Sequence, residues 1–213
     1  MMFANRQHAG ELLAEKMLDY QGGNILILAV PRGGITVAEP VWQAIGGELD
    51  LIIARKLGAP YQQELAIGAV TADGFMMLNE NLVTRLNISE EYIAAAKEKE
   101  RAEIKRRMEA YRGKKKYPVI KNRMVIVIDD GVATGFTLLA ALRSIKKEAP
   151  ALTVLAVPVG PPETISMLSK EVDQLICLNV PGHFSAVGQF YQDFSQVSDQ
   201  EVVAVLKKAW EKE

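Results

Sequence analysis

The stretch Val125-Ile126-Val127-Ile128-Asp129-Asp130-Gly131-Val132-Ala133-Thr134-Gly135-Phe136-Thr137 determines how this chain folds. Four β-branched residues lead directly into two carboxylates, small and hydroxyl residues follow, and an apolar helical pattern begins at Leu138. This order predicts a buried parallel strand, a tight loop and the N-terminus of a helix. The free N–H groups of such a loop, together with the positive end of the helix dipole, favour the binding of a dianion.

The two carboxylates restrict which dianion can bind beside this loop. Asp129 and Asp130 would repel a bare phosphate, but they suit a ligand that carries hydroxyls or a bound cation next to its phosphate. A sugar 5-phosphate with free 2- and 3-hydroxyl groups meets both conditions, and Thr134 and Thr137 add hydroxyl donors. The alternative is an ordinary strand-to-helix turn in which an aspartate caps the helix.

Length and composition are typical of a soluble α/β protein. The chain has 213 residues, of which 49% are apolar and 24% charged, and its net charge of −1 gives no overall attraction to nucleic acid or anionic membranes. A single cysteine, Cys177, excludes a disulfide within the chain and favours a reducing compartment. With no apolar run of membrane-spanning length and no signal-peptide pattern at the start, we expect a cytoplasmic protein.

Strands and helices alternate along the chain, which predicts an α/β fold with a parallel sheet flanked by helices. An Asp-Gly turn predicts a β-hairpin over residues 66–78. We further expect a helical insertion over residues 80–117, inside a single domain that spans residues 1–213. Ligands of parallel sheets bind at the C-terminal strand ends, so the three strand-end segments 31–34, 55–56 and 129–137 are expected to converge.

Two strand ends offer partners for a second anion. The segment Pro31-Arg32-Gly33-Gly34 combines backbone N–H groups with an arginine fork, which suits pyrophosphate. Arg55 and Lys56 would supply two more cations. The alternatives are a plain glycine-rich turn with a surface arginine, and a solvated basic pair without a ligand.

Several segments together resemble type I phosphoribosyltransferases, and within them a bacterial and archaeal phosphoribosyltransferase-like group of undefined acceptor. The resemblance is carried by the 125–137 block and by the segments 30–34, 54–58, 64–70, 190–194 and 199–202. It implies a type I phosphoribosyltransferase-like parallel sheet flanked by helices, with a β-hairpin and a helical insertion. It also implies transfer of ribose 5-phosphate from 5-phosphoribosyl 1-pyrophosphate (PRPP) to a nitrogenous base or similar acceptor, with release of pyrophosphate.

The resemblance assigns a role to each candidate site residue. The 5-phosphate would be bound by Ala133, Thr134, Gly135, Phe136 and Thr137. Pyrophosphate would be bound by Pro31, Arg32, Gly33 and Gly34, with the Pro31–Arg32 peptide bond as the candidate for a cis bond. The residues expected to act in catalysis are Asp129, Asp130, Arg55, Lys56 and Glu64, the last in a mobile flap over residues 57–64. Phe184 and Tyr191 are candidates for stacking on the base, and Mg²⁺ would be held by ligand oxygens and water rather than directly by the protein.

One departure from the family pattern bears on the acceptor. Enzymes for 6-oxopurines usually have an aspartate where this chain has Ala133, so the resemblance argues against hypoxanthine or guanine. The same fold also serves regulators that sense PRPP or nucleotides without turnover, and a non-catalytic sensor is therefore the alternative function. A hydrolase or phosphorylase would need a site for an activated water or phosphate, which the sequence does not reveal.

A long charged helix is predicted from Ser89 to about Arg112. Its acids nearly balance its bases, so we interpret it as a solvated arm rather than a nucleic-acid surface. The expected partners are PRPP and an unidentified base, without nucleic acid or membrane, and the sequence leaves a homodimer open.

Overall fold

Five parallel strands form the centre of the fold in a computed structural model that describes residues 1–212. Their order is β2-β1-β6-β7-β8, and every neighbouring pair is parallel. A second sheet of three antiparallel strands has the order β3-β4-β5. In chain order the strands are β1 Ile25–Ala29, β2 Glu48–Leu51, β3 Ala54–Ala59, β4 Gln62–Thr71, β5 Met76–Leu78, β6 Met124–Ile128, β7 Leu152–Val159 and β8 Gln174–Asn179.

Helices cover both faces of the parallel sheet, which confirms the predicted fold class. They are α1 Arg6–Glu15, α2 Gly33–Ile45, α3 Glu80–Arg85, α4 Glu90–Arg112, α5 Phe136–Lys147, α6 Pro162–Ser169 and α7 Asp199–Trp210, with short 3-10 helices at Leu18–Tyr20 and Val187–Phe190. None of these helices within residues 1–212 is long and apolar enough to cross a bilayer.

Strand β6 has side chains packed on both faces, because its residues alternate between two apolar clusters. Val125 and Val127 pack with α5 and α6, whereas Ile126 and Ile128 pack with α1, α2 and α7. All four are fully buried. A strand buried on both faces needs a continuous apolar run, such as the β-branched residues of this sequence. The residues that follow the strand then lie at the edge formed by the C-terminal strand ends.

The second sheet corrects the prediction for residues 49–64. Arg55 and Lys56 do not stand at the end of a parallel strand, since they lie inside β3, which pairs with β4. Residues 57–64 are not an irregular loop, because β3 and β4 form a hairpin whose tip is Pro60-Tyr61. Sequence reasoning missed this strand because the apolar run 51–54 leads without a turn signal into the basic pair. The hairpin of β4 and β5 on the Asp73-Gly74 turn is confirmed.

The predicted charged helix is confirmed as α4, and Ser89 caps it by accepting a hydrogen bond from the Tyr92 N–H. Its last residue, Arg112, turns inward to the Asp50 carboxylate on β2, which is fully buried. Two bonds of 2.6 and 2.7 Å join Nε and Nη2 of the guanidinium to the two carboxylate oxygens. This pair ties α4 to the edge of the parallel sheet. The assignment of residues 80–117 as an insertion within one domain stays a prediction.

Arg112→Met is expected to lower the free energy of unfolding by about 3–5 kcal/mol, because it leaves the Asp50 carboxylate buried without its guanidinium. Lys208→Met is the control, since its pair with Glu39 is about as short but Lys208 is 49% exposed, and it should cost under about 1 kcal/mol. Urea unfolding at neutral pH measures both values. Equal losses for the two variants would contradict the structural role of the Arg112–Asp50 pair.

Candidate active site

Two carboxylates lie at the C-terminal end of β6, at the edge where a parallel sheet binds its ligands. The Asp130 N–H donates a hydrogen bond of 2.8 Å to Oδ1 of Asp129. Burial raises the pKa of the Asp129 carboxyl well above its ordinary value, and the adjacent Asp130 carboxylate raises it further. The Asp129 carboxyl therefore retains its proton more readily than an isolated aspartate would.

Arg6 is a member of this site that sequence reasoning missed. Its Nε lies 2.7 Å from Oδ2 of Asp130, and the two side chains are only 11% and 16% exposed. The contact joins residues separated by 124 positions, so no local pattern could have signalled it. A cation in the first turn of a helix is disfavoured by the helix dipole, so Arg6 is unfavourable at this position of α1 unless an acid from elsewhere in the fold pairs with it.

The loop between β6 and α5 is held in place from its outer side. The Val132 N–H donates to the Val159 carbonyl at 2.9 Å, and the Thr164 hydroxyl donates to the Ala133 carbonyl at 2.6 Å. Gly135 adopts a left-handed conformation with φ of 75° and leads directly into α5. These two contacts use one carbonyl oxygen and one N–H of the loop, and they fix its path.

The inner N–H groups of the same loop are free. Within residues 1–212, the backbone N–H groups of residues 133–137 donate to no other group, nor do the hydroxyls of Thr134 and Thr137. Ala133 and Thr134 are exposed, so the loop is open to solvent. A row of unpaired donors at the N-terminus of a helix is the arrangement that binds phosphate groups in proteins.

The Pro31–Gly34 segment packs directly against the two acids. The Pro31–Arg32 peptide bond is cis, which confirms that expectation. A Cβ atom added to Gly33 would lie 1.9 Å from Oδ2 of Asp130, and one added to Gly34 would lie 2.8 Å from the Ile128 carbonyl oxygen. Both residues must therefore be glycine for the two strand ends to approach this closely. The predicted convergence of segments 31–34 and 129–137 is confirmed.

Arg32 points away from the acids toward the last helix. Its Nη1 lies 3.5 Å from Oδ1 of Asp199, at the first residue of α7, and the arginine side chain is 40% exposed. The Tyr111 hydroxyl, on the last turn of α4, donates to the same Asp199 oxygen at 2.8 Å. This network brings the C-terminal end of the charged arm next to the turn that carries Arg32.

The third strand-end segment forms ion pairs of its own. Arg55 forms an ion pair with Glu100 on α4, and Lys56 contacts Glu64 across the β3–β4 hairpin at 2.6 Å. Glu64 is 89% exposed, and Tyr61 at the hairpin tip is fully exposed. The expectation that Arg55 and Lys56 stand at the end of a parallel strand is therefore wrong, because they lie inside a strand of the antiparallel sheet.

The two aromatic candidates for base stacking occupy different surroundings. Tyr191 is 5% exposed, and its hydroxyl donates to the Asp130 carbonyl at 2.6 Å, so it holds the backbone of Asp130 in place. Phe184 is half-buried and stacks on Phe190 with ring centroids 5.6 Å apart. The prediction that an aromatic ring stacks on a base therefore rests on Phe184.

A separate cavity lies away from the acids. It has a volume of about 840 Å³ and is enclosed by α4, the end of α5, the β4–β5 turn and residues 117–121. None of residues 129–137 lines it. Its walls carry both signs of charge, with Glu98 paired to Arg101. No buried polar atom without a hydrogen bond points into it from residues 1–212.

Comparisons with known proteins agree with this geometry. The sequence model of the phosphoribosyl transferase domain matches residues 3–195. A protein provisionally named as a phosphoribosyl transferase, from two strains of Mycobacterium tuberculosis, is 38% identical over 209 residues, which are 98% of this chain and 47% of that protein. The chain thus spans about half the length of the curated relatives it matches.

Solved structures show the same architecture. The crystal structure of TT1426 from Thermus thermophilus has a TM-score of 0.82 and 38% identity, covering 98% of this chain and 99% of that one. The structure of the AQ2163 protein from Aquifex aeolicus has a TM-score of 0.50 and 14% identity, covering 82% of this chain and 74% of that one, and this likeness concerns the fold alone.

Gly33→Ala is expected to lower the free energy of unfolding by about 2–3 kcal/mol, because the new methyl group displaces the Asp130 carboxylate and the Arg6 guanidinium. Alanine normally stabilises a helical position relative to glycine, so a loss of stability in Gly33→Ala would result from the steric conflict. Gly182→Ala is the control, since a Cβ there meets nothing within 4 Å. Denaturant unfolding of both variants measures the difference, and a Gly33→Ala protein as stable as the wild type would contradict the close packing described here.

Proposed function

Because this chain belongs to the phosphoribosyltransferase family, we propose that it transfers the ribose 5-phosphate unit of PRPP to a nitrogen acceptor, releasing pyrophosphate with inversion at C1. The observation that carries the proposal is the row of unpaired N–H groups at residues 133–137 beside the Asp129–Asp130 pair. A row of N–H groups that can bind a phosphate, next to two carboxylates, suits a ligand whose phosphate lies a few bonds from its vicinal hydroxyls.

In this proposal the loop binds the 5-phosphate. The N–H groups of residues 133–137 and the hydroxyls of Thr134 and Thr137 donate to its oxygens, and the dipole of α5 adds a favourable field. Gly135 is buried against Thr164 and Met167, where a side chain would clash. The loop can therefore keep its donors aligned before the ligand arrives, which lowers the entropy cost of binding.

Asp129 and Asp130 accept hydrogen bonds from the ribose hydroxyls. Hydrogen bonds to an ionised carboxylate are stronger than those to a neutral group. The negative charge of the pair also favours the positive charge that develops at C1 when the bond to pyrophosphate breaks. Catalysis would then depend mainly on positioning and electrostatics, with no covalent contribution from the protein.

Pyrophosphate is bound by the Pro31–Gly34 turn, with the N–H group of Gly33 and the side chain of Arg32 as donors, since the Gly34 N–H already donates to the Val30 carbonyl at 3.0 Å. Arg32 can turn from Asp199 to the ligand because the pair is long and half-exposed. Arg55 and Lys56 join this site only after leaving Glu100 and Glu64. The β3–β4 hairpin, with Glu64, is thus the part of the chain that must rearrange for them to act.

The family implies Mg²⁺, and the donor set of this site fits an ion carried in by PRPP. Within residues 1–212, no three His, Cys, Asp or Glu side chains lie together as a metal site. Asp129 and Asp130 can accept hydrogen bonds from the waters of a hydrated ion, which Mg²⁺ keeps in most proteins. When bound, the ion would neutralise part of the charge on the pyrophosphate leaving group.

A sensor of PRPP is the second candidate, and one observation favours it. Arg55, Lys56 and Glu64 are paired with carboxylates or with each other, away from the acidic pair. A protein that only binds PRPP needs the phosphate loop and the two acids but neither a flap nor a base pocket. Both functions predict PRPP binding, so a measurement of turnover is needed to distinguish them.

Asp130→Asn is expected to weaken PRPP binding about 10-fold or more, because it removes the charged acceptor of a ribose hydroxyl. Isothermal titration calorimetry with PRPP and Mg²⁺ measures the dissociation constant. Asp19→Asn is the control, since this exposed carboxylate lies in the 3-10 helix Leu18–Tyr20, which precedes β1 and so is outside the strand-end site. Equal affinities for wild type and Asp130→Asn would remove the role assigned to Asp130.

A panel of purines, pyrimidines and pyridine carboxylates, incubated with PRPP and Mg²⁺, should give pyrophosphate release with one class of acceptor. Hypoxanthine and guanine are expected to be poor, because Ala133 replaces the aspartate that serves such bases. Release is followed by a coupled pyrophosphate assay. PRPP binding without release from any acceptor would favour the sensor.

A further inference from the structure

The proposed site has an electrostatic problem that its two acids create. PRPP carries several negative charges, and at about 4 Å two like charges repel by roughly 1–4 kcal/mol in surroundings between water and a protein surface. An acidic pair beside the phosphate loop would therefore oppose the ligand that it is meant to bind. The structure contains a cation, Arg6, in direct contact with one member of this pair.

Arg6 contacts three different groups at once. Its Nε lies 2.7 Å from Oδ2 of Asp130, and its Nη1 donates to the Ser195 carbonyl at 2.7 Å. Its guanidinium carbon lies 3.8 Å from the centroid of the Phe194 ring. A guanidinium with a carboxylate in its plane and an aromatic ring on its face has little freedom to turn.

The N-terminal residues and the segment after β8 pack together around this side chain. The Phe3 N–H donates to the Phe190 carbonyl at 2.8 Å, and the Gln192 N–H donates to the Phe3 carbonyl at 2.9 Å. Tyr191 packs on Phe3 and Phe194, and its hydroxyl donates to the Asp130 carbonyl at 2.6 Å. The segment 190–195 therefore holds both Arg6 and the backbone of Asp130.

From these contacts we infer that Arg6 is a positioning residue, which fixes the Asp130 carboxylate toward the ribose hydroxyls of PRPP and offsets its charge. The inference rests on the proposed function. It gives the segment 190–195 a function beyond packing, because this segment holds Arg6 in place. It also explains why a cation occupies the first turn of α1 against the helix dipole.

The titration of Asp129 depends on the same arrangement. Burial and the charge of Asp130 raise the pKa of the Asp129 carboxyl, and the Arg6 guanidinium opposes that rise. The other titratable groups that act here are Tyr191 and Asp193, both on the segment after β8.

A double-mutant cycle in PRPP binding tests the inference. Arg6→Gln is expected to weaken binding about 10-fold by calorimetry with PRPP and Mg²⁺, because the Asp130 carboxylate loses its partner. In the Asp130→Asn background the same change should alter the dissociation constant by less than about 2-fold, since Arg6 acts through Asp130. No weakening by Arg6→Gln, or equal weakening in both backgrounds, would overturn the inference.

Arg123→Gln is the matched control. Arg123 forms an ion pair of 2.5 Å with Glu48 and is 14% exposed, close to the 11% of Arg6, but it precedes β6 at the opposite edge of the sheet. It should change stability and leave PRPP affinity unchanged. If Arg6→Gln does not fold, Arg6→Lys replaces it in the cycle. Lysine keeps the charge but loses the guanidinium geometry, so PRPP binding should weaken less than in Arg6→Gln. This weakening should again disappear in the Asp130→Asn background.

A titration without PRPP separates failure of this inference from failure of the proposed function. Carbon-detected NMR of the Asp129 carboxyl should show that Arg6→Gln raises its pKa further, because the Arg6 guanidinium lowers it in the wild type. If the wild type does not bind PRPP, the proposed function fails, and this titration alone decides the role of Arg6. An unchanged Asp129 pKa would overturn that role in either case.

Discussion

The register between β1 and β6 is the constraint on which the site depends. Ala29 pairs with Ile128, so the segments that follow these residues leave the sheet side by side at the same edge. The Val30 N–H donates to the Ile128 carbonyl at 2.8 Å, which carries the pairing one residue further. The two glycines after Arg32 then let the turn lie against the acids. A shift of one residue in this pairing would exchange the faces of β6 and separate the two segments.

The parts of this arrangement that follow from local pattern could be predicted from the sequence. Strand β6, its loop and the start of α5 are encoded within thirteen consecutive residues, because a β-branched run, a glycine turn and an apolar helical repeat are local signals. The capped start of α4 at Ser89 is equally local. The second sheet was missed in part, since β3 pairs antiparallel with β4 and nothing in the segment 54–59 distinguishes that from a strand end.

Contacts between distant parts of the chain could not be predicted. Arg6 reaches Asp130 where the N-terminal residues meet the segment after β8, through the pairing of Phe3 with Tyr191. The pairs of Arg55 with Glu100 and of Arg112 with Asp50 likewise depend on where α4 lies. In each case the sequence shows a charge, and only the fold shows which opposite charge it faces. The roles proposed for Arg55, Lys56 and Glu64 remain predictions for this reason.

Phosphate binding by the unpaired N–H groups at residues 133–137 is the step on which the proposed function depends. Two-dimensional ¹H–¹⁵N NMR during titration with ribose 5-phosphate tests this step residue by residue, because each amide reports its own surroundings. We expect the amides of residues 133–137 to shift most and together, while those lining the 840 Å³ cavity do not move. Saturating shifts confined to another surface, with these five amides unchanged, would contradict phosphate binding at this loop.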